Sequence, residues 1–290
     1  MRLTTVRADH REIPVLVEDD GRTVRDISGV PGAGSVLDAI TNWDSVRGAI
    51  LTATLPILDG ERRFLAPIPR PRRNLFAVGK NYREHVTEFG RSGYDSPDRS
   101  EELPAKPVVF SKATSAVTGP FDDIDAHADV TSEVDYEAEL AVVIGRGGRR
   151  IAEADAFDHV WGYTILNDVT ARDLQRDHKQ WLLGKSLDSY APMGPWLVTA
   201  DEIDDICAVR VASRVNGELR QDASVKDLIF PIPHLIATIS AGITLQPGNI
   251  IATGTPAGVG IGFDPPRFLK SGDVVECTVP EIGTIRNAVR

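Results

Sequence analysis

The sequence predicts a fold of mixed α and β elements, and three observations carry that expectation. Stretches of alternating hydrophobicity lie near both ends of the chain, over residues 2–6, 13–17 and 274–279. Apolar runs of strand length, such as residues 161–166, fall between them. Helical spacing is confined to brief segments, over 36–41, 82–89, 151–160 and 233–241. At 290 residues, the chain can hold one large domain or a small one joined to a catalytic one.

Residues 1–70 are expected to form a small N-terminal α/β domain. Strands over 2–6 and 13–17 lead into a turn from Glu18 to Gly21 and a short third strand over 23–27. Ser35 is placed to cap a helix over 36–41. Nothing in this segment carries chemistry, so its expected role is to buttress the rest or to help it dimerise. Pro67, Pro69 and Pro71 then favour an extended, solvated linker, and a catalytic domain over 71–290 follows.

An apolar strand over 74–78 ends at Gly79. The helical turn after it puts His85 and Glu88 at i, i+3 on one face. Alone, such a pair reads as a surface contact. Residues 90–104 are polar, turn-rich and long for a loop in a compact domain. They are expected to form a lid, with Arg91 or Arg99 as a candidate to meet a carboxylate. A strand over 106–112 and a turn at Thr118 to Pro120 come next. Gly145 to Arg149 lacks the G-K-[ST] of a phosphate loop and reads as a tight turn. Residues 151–160 have helical spacing. Asn216-Gly217 suits a hairpin turn after a strand over 209–215. Pro233 opens a helix through Ala241, with Gly242 as its C-cap. A strand from Ile250 ends in a glycine-rich turn whose backbone N–H groups can form an anion nest.

The net charge of −10 argues against a nucleic-acid or membrane-surface binder. A small anionic substrate is compatible with it where a site supplies local positive charge. Cys207 and Cys277 form no C-x-x-C and suggest no disulfide framework, which suits a cytoplasmic protein. The N-terminus has no apolar signal-peptide core. Residues 228–263 carry no Asp, Glu, Lys or Arg, but prolines and polar residues interrupt them long before about 20 apolar residues accumulate. They read as buried core.

The chemistry concentrates between Ser132 and Gly145. Read as a strand, this stretch puts Glu133, Asp135, Glu137 and Glu139 on one face, with carboxylates about 6.6 Å apart along the chain. Such a row is either a solvated edge or a cation site. Asp168, next to Asn167 at the end of the apolar run, suits a third ligand. Oxygen donors without His or Cys point to Mg²⁺ or Mn²⁺ rather than zinc.

The motifs D-Y-E-A-E-L-A-V-V-I-G, N-D-V-T-A-R-D-L-Q, G-K-S-L-D and T-G-T-P-A-G-V-G, preceded by V-G-K-N-Y-R-E-H-V-T-E, resemble the fumarylacetoacetate hydrolase family in order and spacing. The likeness runs from Asn74 to Asp273. It implies an α+β fold, with a rolled, barrel-like mixed β structure for the catalytic domain, and a homodimer. It also implies one Mg²⁺ or Mn²⁺ per subunit, held by Glu137, Glu139 and Asp168, and a small anionic 2-oxo acid as substrate. His85 and Glu88 match the family's water-activating dyad, and Lys185 the lysine beside the enolate oxygen. Arg172, Gln175 and Thr255 match residues that receive substrate, although Arg172 could instead bridge Asp173 or Asp177. Asn249 departs from the usual Pro-Gly-Asp.

The expected activity is cleavage of a C–C bond in an acylpyruvate, as in aromatic catabolism. The same site could serve a decarboxylase, or a tautomerase or isomerase acting on oxaloacetate or a dienoic 2-oxo acid such as 2-hydroxyhepta-2,4-diene-1,7-dioate. From another class, a non-catalytic metal-binding protein is the alternative.

Overall fold

The computed structural model of the chain describes residues 1–92 and 103–290. The N-terminal alternation folds as the antiparallel strands β1 (Arg2–Ala8), β2 (Arg11–Val17) and β3 (Val24–Asp26). Asp9 and His10 turn the first hairpin at positive φ, the conformation that suits the twist of a two-residue loop. Ser35 caps α1 (Val36–Thr41) by accepting the Asp38 N–H, as its position predicts. A second helix, α2 (Trp43–Thr52), was not expected from the sequence; only Val46 and Ile50 are buried on it, so its apolar stripe is thin.

The chain continues through β4 (Arg63–Phe64), β5 (Leu75–Gly79), α3 (Arg83–Ser92), β6 (Val108–Lys112), β7 (Val117–Thr118) and β8 (Val134–Asp135). Next come β9 (Ala138–Ile144), β10 (Val160–Asn167), β11 (Thr170–Ala171), α4 (Arg172–Asp177), α5 (Leu182–Lys185) and β12 (Ala191–Thr199). The chain ends with β13 (Arg210–Val215), β14 (Glu218–Ser224), α6 (Ile232–Ser240), β15 (Ile250–Ala252), β16 (Val274–Val279) and β17 (Gly283–Ala288).

One mixed sheet of 11 strands runs β3-β2-β1-β12-β10-β9-β15-β5-β6, with β4 on β1 and β7 on β12. The β15–β5 and β12–β7 pairs are parallel and its other pairs antiparallel. Among the described residues β3 and β6 are its two ends, so the rolled sheet does not close into a barrel. A four-stranded antiparallel sheet, β14-β13-β16-β17, lies against β9 and β10. The N-terminal strands join the main sheet through β1, whose Arg2 and Leu3 pair with Val198 and Leu197 of β12. In the linker, Leu65, Ala66 and Ile68 are buried, and only its arginines face water.

Strand β9 is buried along its whole length, as is β10 after its first residue. Such strands are apolar on both faces, and each fully buried Val, Leu or Ile contributes about 1.5–3 kcal/mol. Their antiparallel register sets Asn167 opposite Ala138 and Leu166 opposite Glu139. The start of β9 therefore meets the end of β10, and the polar residues at these ends are brought together at the edge of the core.

Three local expectations are corrected. The stretch 132–145 is two strands, not one: the Asn167 carboxamide oxygen accepts the Glu137 N–H and interrupts the ladder between β8 and β9. Residues 153–159 form a 3₁₀ helix, and Phe157, counted on its apolar face, is exposed. Helix α6 ends at Ser240 with Ala241 as its C-cap in right-handed conformation, so Gly242 does not cap it. No helix among the described residues is long and apolar enough to cross a membrane. The uncharged 228–263 segment supplies buried Leu235, Ile236, Ile250 and Ile251 to the core. Cys207 and Cys277 form no disulfide.

Candidate active site

Glu137, Glu139 and Asp168 lie buried at the β9–β10 junction, each offering one oxygen within 4.8 Å of the others. The backbone fixes this grouping: the Asp168 N–H donates to the Glu137 carbonyl at 2.8 Å. Asp135 and Glu133 do not join the triad. The bend after β8 turns Asp135 toward Arg172 and the 260–261 backbone, and Glu133 lies 3.5 Å from Arg176.

Three buried cations face these acids. Lys185, ending α5, donates to Glu137 Oε2 at 2.9 Å and to Asp168 Oδ2 at 2.8 Å. Arg172, opening α4, donates through Nε to Asp135 Oδ2 at 2.9 Å and through Nη1 to Gln175 Oε1 at 3.1 Å. Its Nη2 forms an ion pair with Glu137 Oε1 at 2.6 Å. These partners replace the bridges to Asp173 or Asp177 that the sequence left open. Lys112, at the inner end of β6, donates to Asp168 Oδ1 at 2.6 Å and to the Val169 carbonyl at 3.0 Å. Sequence reasoning missed Lys112. Its signal was a lysine closing a short, mainly apolar strand, which fits a surface end equally well.

The charges do not balance. Asp135, Glu137 and Asp168 each meet a cation, whereas Glu139 accepts only the Gly254 N–H, at 2.8 Å, among the described residues. Burial, reinforced by Asp168 and Glu137, pushes the Glu139 carboxyl well above the ordinary range. Burial also works against ionised Glu137, but Lys185 and Arg172 hold it down at about 2. Burial lowers Lys112 to about 8 despite Asp168 beside it. Lys185 is raised overall, because Asp168 and Glu137 outweigh its own burial. An all-oxygen donor set with one uncompensated buried carboxylate fits a hard divalent cation.

His85 Nδ1 lies 3.3 Å from Glu88 Oε2 on α3, as their spacing predicts. The Gly258 N–H donates to both Glu88 oxygens, at 2.9 and 3.2 Å, and holds the carboxylate from the far side. A Cβ at Gly262 would fall 1.7 Å from Glu88 Oε1, so only glycine allows this approach. His85 borders one cavity together with Glu137, Arg172, Gln175, Lys185 and Thr255. Six residues singled out from the sequence thus share one lining. The glycine-rich turn closes it: Gly254 stands at φ +108°, and a Cβ there would lie 2.7 Å from Asn81 Cβ. The lid expected over 90–104 falls largely outside the described residues, as do the side chains of Arg91 and Arg99.

The family described as fumarylacetoacetate (FAA) hydrolase C-terminal matches residues 74–290. Oxaloacetate tautomerase YisK of Bacillus subtilis (strain 168) is 52% identical over 229 residues, covering 79% of this chain and 73% of that protein. Among solved structures, the fumarylacetoacetate hydrolase of psychrophilic Exiguobacterium antarcticum superposes with a TM-score of 0.85 at 40% identity, over 100% of this chain and 99% of that one. A maleylpyruvate hydrolase from Sphingobium sp. SYK-6, solved with manganese(II) and pyruvate, gives a TM-score of 0.80 at 30% identity, over 100% and 98% of the two chains.

Proposed function

The chain belongs to the fumarylacetoacetate hydrolase family, and from that premise we propose that it is a tautomerase interconverting the keto and enol forms of oxaloacetate or a close 2-oxo acid. The observation that carries this is the 52% identity to a named oxaloacetate tautomerase across 79% of the chain. The comparisons thus favour the tautomerase alternative over the C–C hydrolase expected first from the sequence.

Glu137, Glu139 and Asp168 would hold one Mg²⁺ or Mn²⁺ per subunit, which supplies Lewis acidity toward a chelating 2-oxo acid. Arg172, Gln175 and Thr255 orient the substrate from the cavity wall. Two of the three Lys185 N–H bonds are taken by Glu137 and Asp168, and the third sets positive charge beside the developing enolate oxygen. Glu88 accepts from His85 Nδ1–H and fixes the tautomer, leaving Nε2 to remove the proton from the carbon next to the ketone. The same proton is delivered to the enolate oxygen, so no water is consumed and nothing leaves. A homodimer, a cytoplasmic location and the division into 1–70 and 71–290 belong to the same proposal.

A second reading, hydrolysis of an acylpyruvate, draws on the maleylpyruvate hydrolase likeness and on the His85–Glu88 dyad. It needs His85 to activate water for attack on an acyl carbonyl. Following enol absorbance of oxaloacetate with Mg²⁺, with Mn²⁺ and after chelation tests the choice. Metal-dependent relaxation to the keto–enol equilibrium without pyruvate release is the expected result. Cleavage of an acylpyruvate with no effect on oxaloacetate tautomerisation would move the protein to the hydrolase branch. Metal binding without turnover of either compound would favour the non-catalytic reading.

A further inference from the structure

We propose that Gln221 is a positioning residue for the substrate carboxylate: it pins the 253–256 turn so that Thr255 offers the cavity its backbone N–H and not its hydroxyl. The inference rests on the reading above that this cavity takes a 2-oxo acid.

Gln221 belongs to β14 in the smaller sheet, yet its buried side chain reaches into the main one. All four hydrogen-bonding valences of its amide are engaged. Oε1 accepts from the Ala138 N–H at 3.1 Å and from Ser213 Oγ at 2.8 Å. Nε2 donates to Thr255 Oγ1 and to the Pro256 carbonyl, both at 2.7 Å. Two of these partners fix the orientation of the amide, since a backbone N–H can only donate and a carbonyl can only accept. Thr255 Oγ1 must therefore accept from Gln221, and its own hydrogen goes to the Ala138 carbonyl at 3.0 Å. The hydroxyl has no hydrogen left for a ligand.

The Thr255 N–H meets no acceptor among the described residues, although Thr255 is 2% exposed and borders the cavity. A buried N–H without a partner is costly, and a carboxylate oxygen satisfies it. Ala138, which Gln221 also grips, lies between Glu137 and Glu139. A single amide therefore sets the spacing between the carboxylate cradle and the acid pair. The neighbouring residue of β14 supports the same turn further along: a Cβ at Gly258 would lie 1.9 Å from the Arg220 carbonyl.

The test uses the full-length, Mn²⁺-loaded protein, with pyruvate binding followed by calorimetry and oxaloacetate kinetics in parallel. Gln221→Met keeps the volume and removes the amide, and Gln221→Glu is isosteric but faces the Pro256 carbonyl with an oxygen. Each is expected to raise the pyruvate Kd and the oxaloacetate KM by about tenfold or more, because an ordered turn loses its pin. Both kcat and the Mn²⁺ Kd stay within about threefold, since no metal ligand is touched. Thr255→Val, which deletes the hydroxyl but keeps the N–H, weakens pyruvate less than either. A folded Gln221 variant with wild-type pyruvate affinity overturns the proposal. So do a parallel loss of Mn²⁺ affinity, a larger loss in Thr255→Val, or wild-type protein that binds no pyruvate. Wild-type protein that binds pyruvate in a Gln221-dependent way but leaves oxaloacetate unchanged would sink the tautomerase reading alone.

Discussion

At the N-terminal end of the main sheet, Glu12 of β2 sits between Arg7 and Arg70, whose side chains are 46% and 76% exposed. Where β9 and β10 meet in the same sheet, the side chains of Lys112 and Asp168 pair at 0% exposure for each. The two outer ion pairs meet in water and are worth little. The inner pair has given up its hydration, which is seldom recovered by pairing alone. A sheet that needed only to fold could have filled this position with apolar side chains. The difference teaches that the inner cluster buries charge which folding alone does not require, and Glu139, with no cation against it among the described residues, is its clearest sign.

The sharpest way to break this comparison is Asp168→Asn, which removes the acid bonded to both Lys112 and Lys185. Lys112 would lose its carboxylate and Lys185 one of its two, so a loss of about 3–5 kcal/mol is expected in urea denaturation. Mn²⁺ binding, read by electron paramagnetic resonance, should vanish with it. Chelation of the wild-type protein comes next: an ion present at about 100 times its Kd stabilises by about 2.7 kcal/mol, so EDTA should lower the unfolding midpoint accordingly. Asp135→Asn should cost about 2 kcal/mol and raise the oxaloacetate KM, because its one oxygen can still accept the Gly260 N–H while the NH2 group then faces the Arg172 Nε–H and the Ile261 N–H, which both lose their acceptor. The smallest effect belongs to the outer end. Arg70→Ala should change stability by less than about 1 kcal/mol and leave kcat/KM for oxaloacetate unaltered.

Much of the site was legible because the motifs are local. Glu137 and Glu139 are two residues apart, His85 and Glu88 three, and Lys185 ends a short helix beside them. The mixed α and β content was legible for a similar reason, since β1, β2 and β16 show their alternation in single short windows, whereas the α+β class came from the family resemblance. What the sequence did not show depends on contacts across the chain. Lys112 meets Asp168 across 56 residues, and Gln221 meets Ala138 across 83. Neither spacing leaves a periodic trace. The break between β8 and β9 was hidden too, because Asn167 of a later strand takes the Glu137 N–H. Alternation read within one strand cannot anticipate a side chain that arrives from its neighbour.

Urea denaturation of wild type and Glu139→Gln, each with EDTA and with saturating Mn²⁺, tests most directly whether the buried Glu139 carboxyl serves as a cation ligand. A carboxyl raised in the folded state costs stability above its unfolded value near 4.5 and not below it. At pH 7 in EDTA, Glu139→Gln should therefore be more stable than wild type by about 1–2 kcal/mol, a gap that closes toward pH 4.5. With saturating Mn²⁺ the order should reverse, because only the wild type gains from the ion. A variant less stable than wild type under both conditions would contradict the account and return Glu139 to an ordinary structural role.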